Sequence, residues 1–188
     1  MANMTSSVSA SQVAGELASA TFEEIPALVE HYREDPRQQV IKACERALKR
    51  HAKELAERER VNDMYELMHE LGGDGVVVGV DEVGRGSVAG PLTVCAVCLP
   101  MEPRVWGIND SKKLTEKKRD ALFDEIKEKA LAYRIVFVGP DIIDRDNILN
   151  ATMGGMRQAV EELDIVPNLV LVDGNRTPAG LQIPAQPV

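Results

Sequence analysis

A run of apolar residues from Val76 to Val80, all β-branched except Gly79, constrains the fold of this chain more than any other feature. Consecutive apolar, β-branched positions are typical of a strand that is buried on both of its faces. Such a strand belongs in the interior of a sheet that other elements cover. The sequence therefore predicts a layered α/β domain that begins near residue 74 and continues to Val188.

Further strand and helix patterns alternate after this first strand. Apolar runs predict three more strands, at Leu92–Leu99, Arg134–Val138 and Leu169–Val172. Apolar spacings of three and four residues predict two helices, at 115–131 and about 150–163. The order strand, strand, helix, strand, helix, strand predicts a mixed sheet with flanking helices and two helical crossovers.

The residues before Gly73 have a helical pattern instead. Thr21 and Glu24 have the spacing of a capping box, and Asp35-Pro36 is typical of the start of a longer helix. Apolar residues then recur every three or four positions up to the stop at Gly72-Gly73. We therefore predict disorder for 1–20, a helical N-terminal extension for 21–73 and the α/β domain for 74–188.

Composition limits what the chain can bind. The formal net charge of −8 and a pI of about 5.0 argue against a broad nucleic-acid surface, because phosphate binding requires basic groups. Such a function would need metal ions or a local basic patch. An odd count of three cysteines predicts a reducing, cytoplasmic location. Cys95 and Cys98 lie in a strand pattern, where residues three apart face opposite sides, so we predict structural roles for both.

Carboxylates follow two of the predicted strands directly. Asp81-Glu82 comes after the first strand and Asp173 after the last. If these strands are parallel neighbours, the three groups meet at one sheet edge, where oxygen ligands suit Mg²⁺ or Mn²⁺. Asp81 and Glu82 can share a site only if the chain bends there, as residues 83–86 allow. The alternative is that these acids simply mark solvated strand ends.

Two further features could contact phosphate. Gly84, Arg85 and Gly86 combine a flexible backbone with a cation, although an ordinary tight turn with a solvated arginine fits equally. Lys112 and Lys113 belong to a basic cluster with residues 117–119, before and within the first turn of a predicted helix. The alternative for this cluster is a solvated helix face balanced by nearby acids.

Three ordered motifs resemble the ribonuclease HII family of type 2 ribonucleases H. They are GVDEVGRGSVAGP at 79–91, DSKKL at 110–114 and VDG at 172–174. The similarity runs from about residue 75 to the end of the chain. The helical segment with Asp35-Pro36-Arg37 resembles the N-terminal extension of some bacterial members.

This resemblance implies a ribonuclease H-like fold and endonucleolytic cleavage of RNA in RNA–DNA hybrids and of ribonucleotides embedded in DNA. It implies catalytic metal ligation, by two Mn²⁺ or Mg²⁺ ions, through Asp81, Glu82 and Asp173. Residues 84–86 would sense the ribonucleotide 2′-OH, and Lys112 and Lys113 would lie near the phosphate backbone. We expect a monomer without a membrane partner.

Two departures from the family pattern affect these expectations. Ser87 stands where the family usually has proline, which leaves the ligands unchanged. The chain also ends at Val188, about where the next strand should begin. The family continues there with a fourth acidic ligand, a helix and a tyrosine that contacts substrate. We therefore expect a fragment or truncated product with weak metal binding and poor cleavage. The alternatives are a hybrid-binding module and another ribonuclease H-like nuclease.

Overall fold

The computed structural model describes residues 8–86 and 90–188, which form two compact units that divide between Asn62 and Asp63. None of the helices in these residues combines the length and apolar character needed to cross a membrane. In chain order the elements are α1 Ala10–Ser19, α2 Ile25–His31, α3 Gln38–Gly72, β1 Val77–Val83, β2 Leu92–Cys98, a 3₁₀ turn Ser111–Lys113, α4 Glu116–Lys129, β3 Ala132–Val138, α5 Pro140–Asp146, α6 Ile148–Glu161, β4 Leu169–Val172 and β5 Ala185–Pro187.

Helix α1 corrects the prediction that residues 1–20 are disordered. Ser9 caps this helix, and Gln12 completes a reciprocal capping box. Val13 and Leu17, four residues apart on one face, are fully buried. They pack in a small core with Ile25, Val40, Ala43 and Ala47. The Ser/Ala-rich composition favoured disorder and gave too little weight to the apolar pair Val13 and Leu17. Residues 1–7 lie outside the described part of the chain.

Helix α3 confirms the long N-terminal helix pattern and runs for 35 residues. The Asp35-Pro36 start has a more specific structure than a simple cap. One carboxylate oxygen of Asp35 accepts the backbone N–H of Arg37 at 3.0 Å, and the other accepts its guanidinium Nη2 at 2.6 Å. These hydrogen bonds from Arg37 hold the pKa of Asp35 at about 2, below its usual value of 3.8.

The low pKa of Asp35 predicts an acid-sensitive contribution to stability. Because the folded-state pKa is depressed, this contribution is present above pH 4 and is lost as the pH falls from about 4 to about 2. Asp35→Asn should therefore melt below the parent chain at neutral pH, and the gap should narrow through that window. Thermal melts followed by circular dichroism measure this difference in melting temperature. The substitution Glu34→Gln at the adjacent position is the control. A gap that stays constant down to pH 2 would contradict the assignment.

The five strands form one mixed sheet in the order β3-β2-β1-β4-β5, which confirms the predicted α/β architecture. β2 is antiparallel to β1 and β3, whereas β4 is parallel to β1 and β5. One crossover prediction was wrong, because α4 joins the antiparallel neighbours β2 and β3. A helical pattern between two strands does not reveal their relative direction, which depends on pairing across the sheet.

Helix α6 covers one face of this sheet, called here the inner face. Alternate strand residues point to it, so burial along β2 alternates at every position. Cys98 is buried in this core, whereas Cys95 points to the opposite, outer face. The inner-face core contains Val78, Val80, Leu92, Val94, Ala96, Cys98, Val136, Val138, Val170 and Val172. Because side chains alternate, the residues that follow Val80 and Val172 belong to the outer face.

Candidate functional site

Strands β1 and β4 bring Asp81 and Asp173 together on the outer face. The two strands are parallel, and Val80 is the register partner of Val172. The backbone N–H of Asp173 donates to the carbonyl of Val80 at 3.0 Å, which continues the pairing by one residue. The charge of Asp173 acts on the Asp81 carboxyl group and raises its pKa, which makes the two groups electrostatic neighbours. A pair of neighbouring, solvent-accessible carboxyl groups therefore lies at this sheet edge.

The electrostatics of this pair favour a bound cation. Partial burial is the largest cause that raises the pKa of Asp81, and the negative charges of Asp173 and Glu82 raise it further. The backbone N–H of Glu82 opposes this effect by donating to Asp81 Oδ1 at 2.6 Å. Two carboxylates that repel each other are stabilised when a cation binds between them. Their oxygen donors fit Mg²⁺ or Mn²⁺.

Glu82 has a different environment from Asp81. Strand β1 continues through Val83, which pairs with Thr93, so Asp81 and Glu82 point to opposite faces. Glu82 is largely buried and accepts a hydrogen bond from Arg85 Nη1 at 3.2 Å. The expected bend begins only at Gly84, with a φ of 95°. Among the described residues, no three His, Cys, Asp or Glu side chains are grouped to hold a metal ion, so Glu82 stays a predicted ligand.

The predicted substrate-binding residues lie on two separate segments. Gly84, Arg85 and Gly86 follow β1 directly, and a Cβ at Gly86 would meet open space. Lys112 and Lys113 occupy the 3₁₀ turn before α4, where Asp110 accepts the backbone N–H of Lys112 at 3.0 Å. Both lysines are exposed. No hydrogen bond or ion pair between described residues joins either lysine to the carboxylates. Ser87 lies outside the described residues.

Cys95 is a neighbour of the site that the sequence did not indicate. It is the register partner of Asp81 on β2, on the same outer face. Burial raises the pKa of the Cys95 thiol, and the charge of Asp81 raises it further. Cys95 is fourteen positions from Asp81 in the chain, so only the β1–β2 register reveals the contact. The thiol is therefore neutral and packs beside the carboxylate pair.

Known protein families match both parts of the chain. The family model for ribonuclease HII matches residues 78–188, and the model for the ribonuclease HII N-terminal domain matches residues 9–71. Ribonuclease HII of Shewanella sp. strain MR-7 is 56% identical over 105 residues, which are 56% of this chain and 50% of that protein. The Shewanella sediminis ribonuclease HII is 57% identical over 104 residues, which are 55% of this chain and 49% of that protein. The chain thus spans about half the length of these relatives.

A solved structure supports the same relationship. The ribonuclease H2 from Pyrococcus horikoshii OT3 superposes with a TM-score of 0.50 and is 29% identical, over 60% of each chain. This likeness identifies the mixed sheet and its helices as ribonuclease H-like. The ribonuclease HII model covers more than half of the chain and includes both strands that carry Asp81 and Asp173. The chain belongs to the ribonuclease HII family.

Proposed function

We propose that this protein is a metal-dependent endonuclease that cleaves the RNA strand of RNA–DNA hybrids and ribonucleotides embedded in DNA. The observation that carries the proposal is the close pair of Asp81 and Asp173 on the outer face of the sheet. This pair lies within the segment that matches the ribonuclease HII family. The monomeric state and the cytoplasmic location stay predictions.

In this proposal the carboxylates hold Mg²⁺ or Mn²⁺ at the scissile phosphate. When bound there, such a cation activates the attacking water and stabilises the leaving oxygen. Asp81 and Asp173 supply oxygen ligands, and the Glu82 N–H fixes the orientation of the Asp81 carboxylate. Glu82 joins them as the third ligand only if the backbone bends between Asp81 and Val83, because in the extended strand its side chain points to the opposite face.

Substrate contacts come from the loop after β1 and from the 3₁₀ turn. Arg85 is half exposed and can exchange Glu82 for a substrate phosphate. The glycines on either side let the backbone approach the ribose 2′-OH, which distinguishes RNA from DNA. The exposed Lys112 and Lys113 then bind flanking phosphates.

A cleavage assay tests this function. The chain is incubated with Mn²⁺ or Mg²⁺ and a labelled duplex that contains one ribonucleotide, with the all-DNA duplex as control. We expect a single cut at the ribonucleotide that disappears with EDTA.

A second candidate, a hybrid-binding module, is favoured by the grouping of only two carboxyl side chains among the described residues. Hybrid binding without cleavage under any metal condition would establish that candidate and reject the nuclease.

A further inference from the structure

Helix α3 carries a one-sided row of basic side chains in the first compact unit. This basic stripe consists of Lys42, Arg46, Lys49, Arg50 and Lys53, all of them exposed. Their spacing places them within an arc of about 100° around the helix and along about 16 Å of its axis. The stripe therefore presents five cations to solvent on one face.

Carboxylates neutralise the later part of α3 but not the basic stripe. Arg58 pairs with Glu54 at 3.1 Å, and Arg60 pairs with Glu57 at 2.5 Å. In contrast, the three lysines of the stripe form no ion pair or hydrogen bond with any residue in 8–86 or 90–188. The stripe arginines donate to backbone carbonyls, as Arg46 does to Lys42 and Arg50 does to Leu17, Ala18 and Ala20. Both arginines are exposed, and no carboxylate among the described residues pairs with them.

This arrangement opposes helix stability without a ligand. Like charges three and four residues apart on a helix repel each other, and residues 38–56 carry five basic side chains against two acidic ones. A face selected only for solvation would alternate its charges, as residues 54–60 of the same helix do. The uncompensated repulsion is relieved when an extended polyanion lies along the stripe.

A groove beside part of the stripe carries positive and, among the described residues, no negative side chains. It lies between α1 and α3 within the first unit and has a volume of about 520 Å³. Small apolar side chains line it, and its charged members are Arg46 and Arg50. No acidic side chain is among the described residues that line it. A phosphate backbone can therefore approach the helix closely without meeting a negative charge.

We propose that the basic stripe binds the phosphate backbone of a nucleic-acid duplex, as a contact separate from the carboxylate site. The inference rests on the proposed nuclease function, which makes a duplex the polyanion that the protein encounters. One strand carries a phosphate per 3.4 Å of duplex axis, so a length of about 16 Å along that axis holds about five phosphates of one strand. Phosphate contacts of this kind add affinity without selecting a sequence.

The test compares two triple variants of the full chain. The stripe variant replaces the three stripe lysines with glutamine, as Lys42→Gln, Lys49→Gln and Lys53→Gln. The charge-matched control removes the same charge from exposed positions elsewhere, as Arg33→Gln, Lys127→Gln and Arg145→Gln. Fluorescence anisotropy measures binding to an RNA–DNA hybrid and to DNA of the same sequence, in EDTA, between about 50 and 200 mM salt. Lysine and glutamine have similar helix propensity, and circular dichroism checks folding, with Lys49→Gln alone as the milder variant.

We expect the stripe variant to lose affinity by about tenfold at 0.1 M salt, with a salt slope lower by about 2 to 3. The loss should be equal on hybrid and DNA, and the charge-matched control should change little. An equal loss in the control, or parental binding by the stripe variant, overturns the proposal. The latter result would assign the stripe to another anionic partner, such as an acidic protein segment. If duplex binding depends on the stripe but no metal-dependent cleavage occurs, the nuclease function is rejected and the stripe proposal stands.

Discussion

Replacing Asp81 or Asp173 with asparagine is expected to lower metal-dependent cleavage by a factor on the order of 10² or more, the scale for loss of one electrostatic contact at a reacting centre. Asparagine has nearly the same shape, so the variant tests charge and not packing. In the proposed metal site, either substitution removes an anionic oxygen ligand, so we expect weaker metal binding. Cleavage that survives Asp81→Asn would reject the metal-site assignment.

The same substitutions should raise the thermal stability of the metal-free chain. The two carboxylates repel each other, and Asp81 is also partly desolvated. Asparagine removes that repulsion, as expected where function maintains an unfavourable local charge arrangement. Adding Mg²⁺ or Mn²⁺ should raise the melting temperature of the parent chain, because a ligand that binds only the folded state stabilises it. The variants should lack that shift.

Scanning calorimetry with and without metal provides this second readout, which does not depend on catalysis. Asp164→Asn is the matched control, because Asp164 is an exposed aspartate after α6 that forms no ion pair with a described residue. It should leave both cleavage and the metal-induced shift unchanged. A metal-induced shift of parental size in Asp81→Asn and Asp173→Asn would place the cation elsewhere.

Adding one methyl group at Gly155 should destabilise the fold, whereas the same change at Gly154 should stabilise it. A Cβ at Gly155 would lie 2.8 Å from Val138 Cγ2 and 3.1 Å from Val94 Cγ2, so α6 could not keep its distance from the sheet. Overpacking of this kind costs about 1–3 kcal/mol, partly offset by up to about 1 kcal/mol of helix propensity. We expect Gly155→Ala to lose about 1 kcal/mol or more of unfolding free energy.

Gly154 is an adjacent control on the same helix. It is exposed, and a Cβ there would meet nothing within 4 Å. Gly154→Ala should therefore gain about 0.5–1 kcal/mol from helix propensity alone. Urea unfolding of both variants measures the difference, and the bulkier Gly155→Val should fall below Gly155→Ala. Equal stabilisation by the two alanine variants would show that α6 does not pack closely on β2 and β3.

Most helices and strands could be predicted from local patterns, but some bounds could not. The strand predicted at Val76–Val80 extends to Val83 because cross-strand hydrogen bonds to β2 hold Asp81, Glu82 and Val83 in extended form. Helix α5 was not predicted, although Pro140 in its first turn is typical of a helix start, and the short strand β5 gave no recognisable signal. β5 exists because it pairs with β4. In contrast, the Ser9 and Gln12 capping box of α1 has a recognisable sequence pattern. The helix was missed because the Ser/Ala-rich composition around that pattern suggested disorder.

Local sequence patterns were enough to predict that Asp81 and Asp173 follow two apolar strands, because each comes directly after a run of strand-forming residues. Strand pairing in the folded chain was needed to show that those strands are parallel neighbours, which places the two carboxyl groups side by side. The folded chain also shows that Glu82 contacts Arg85 and that Cys95 lies beside Asp81. This difference arises because side-chain alternation is local to a strand, whereas strand order and register depend on pairing between distant segments.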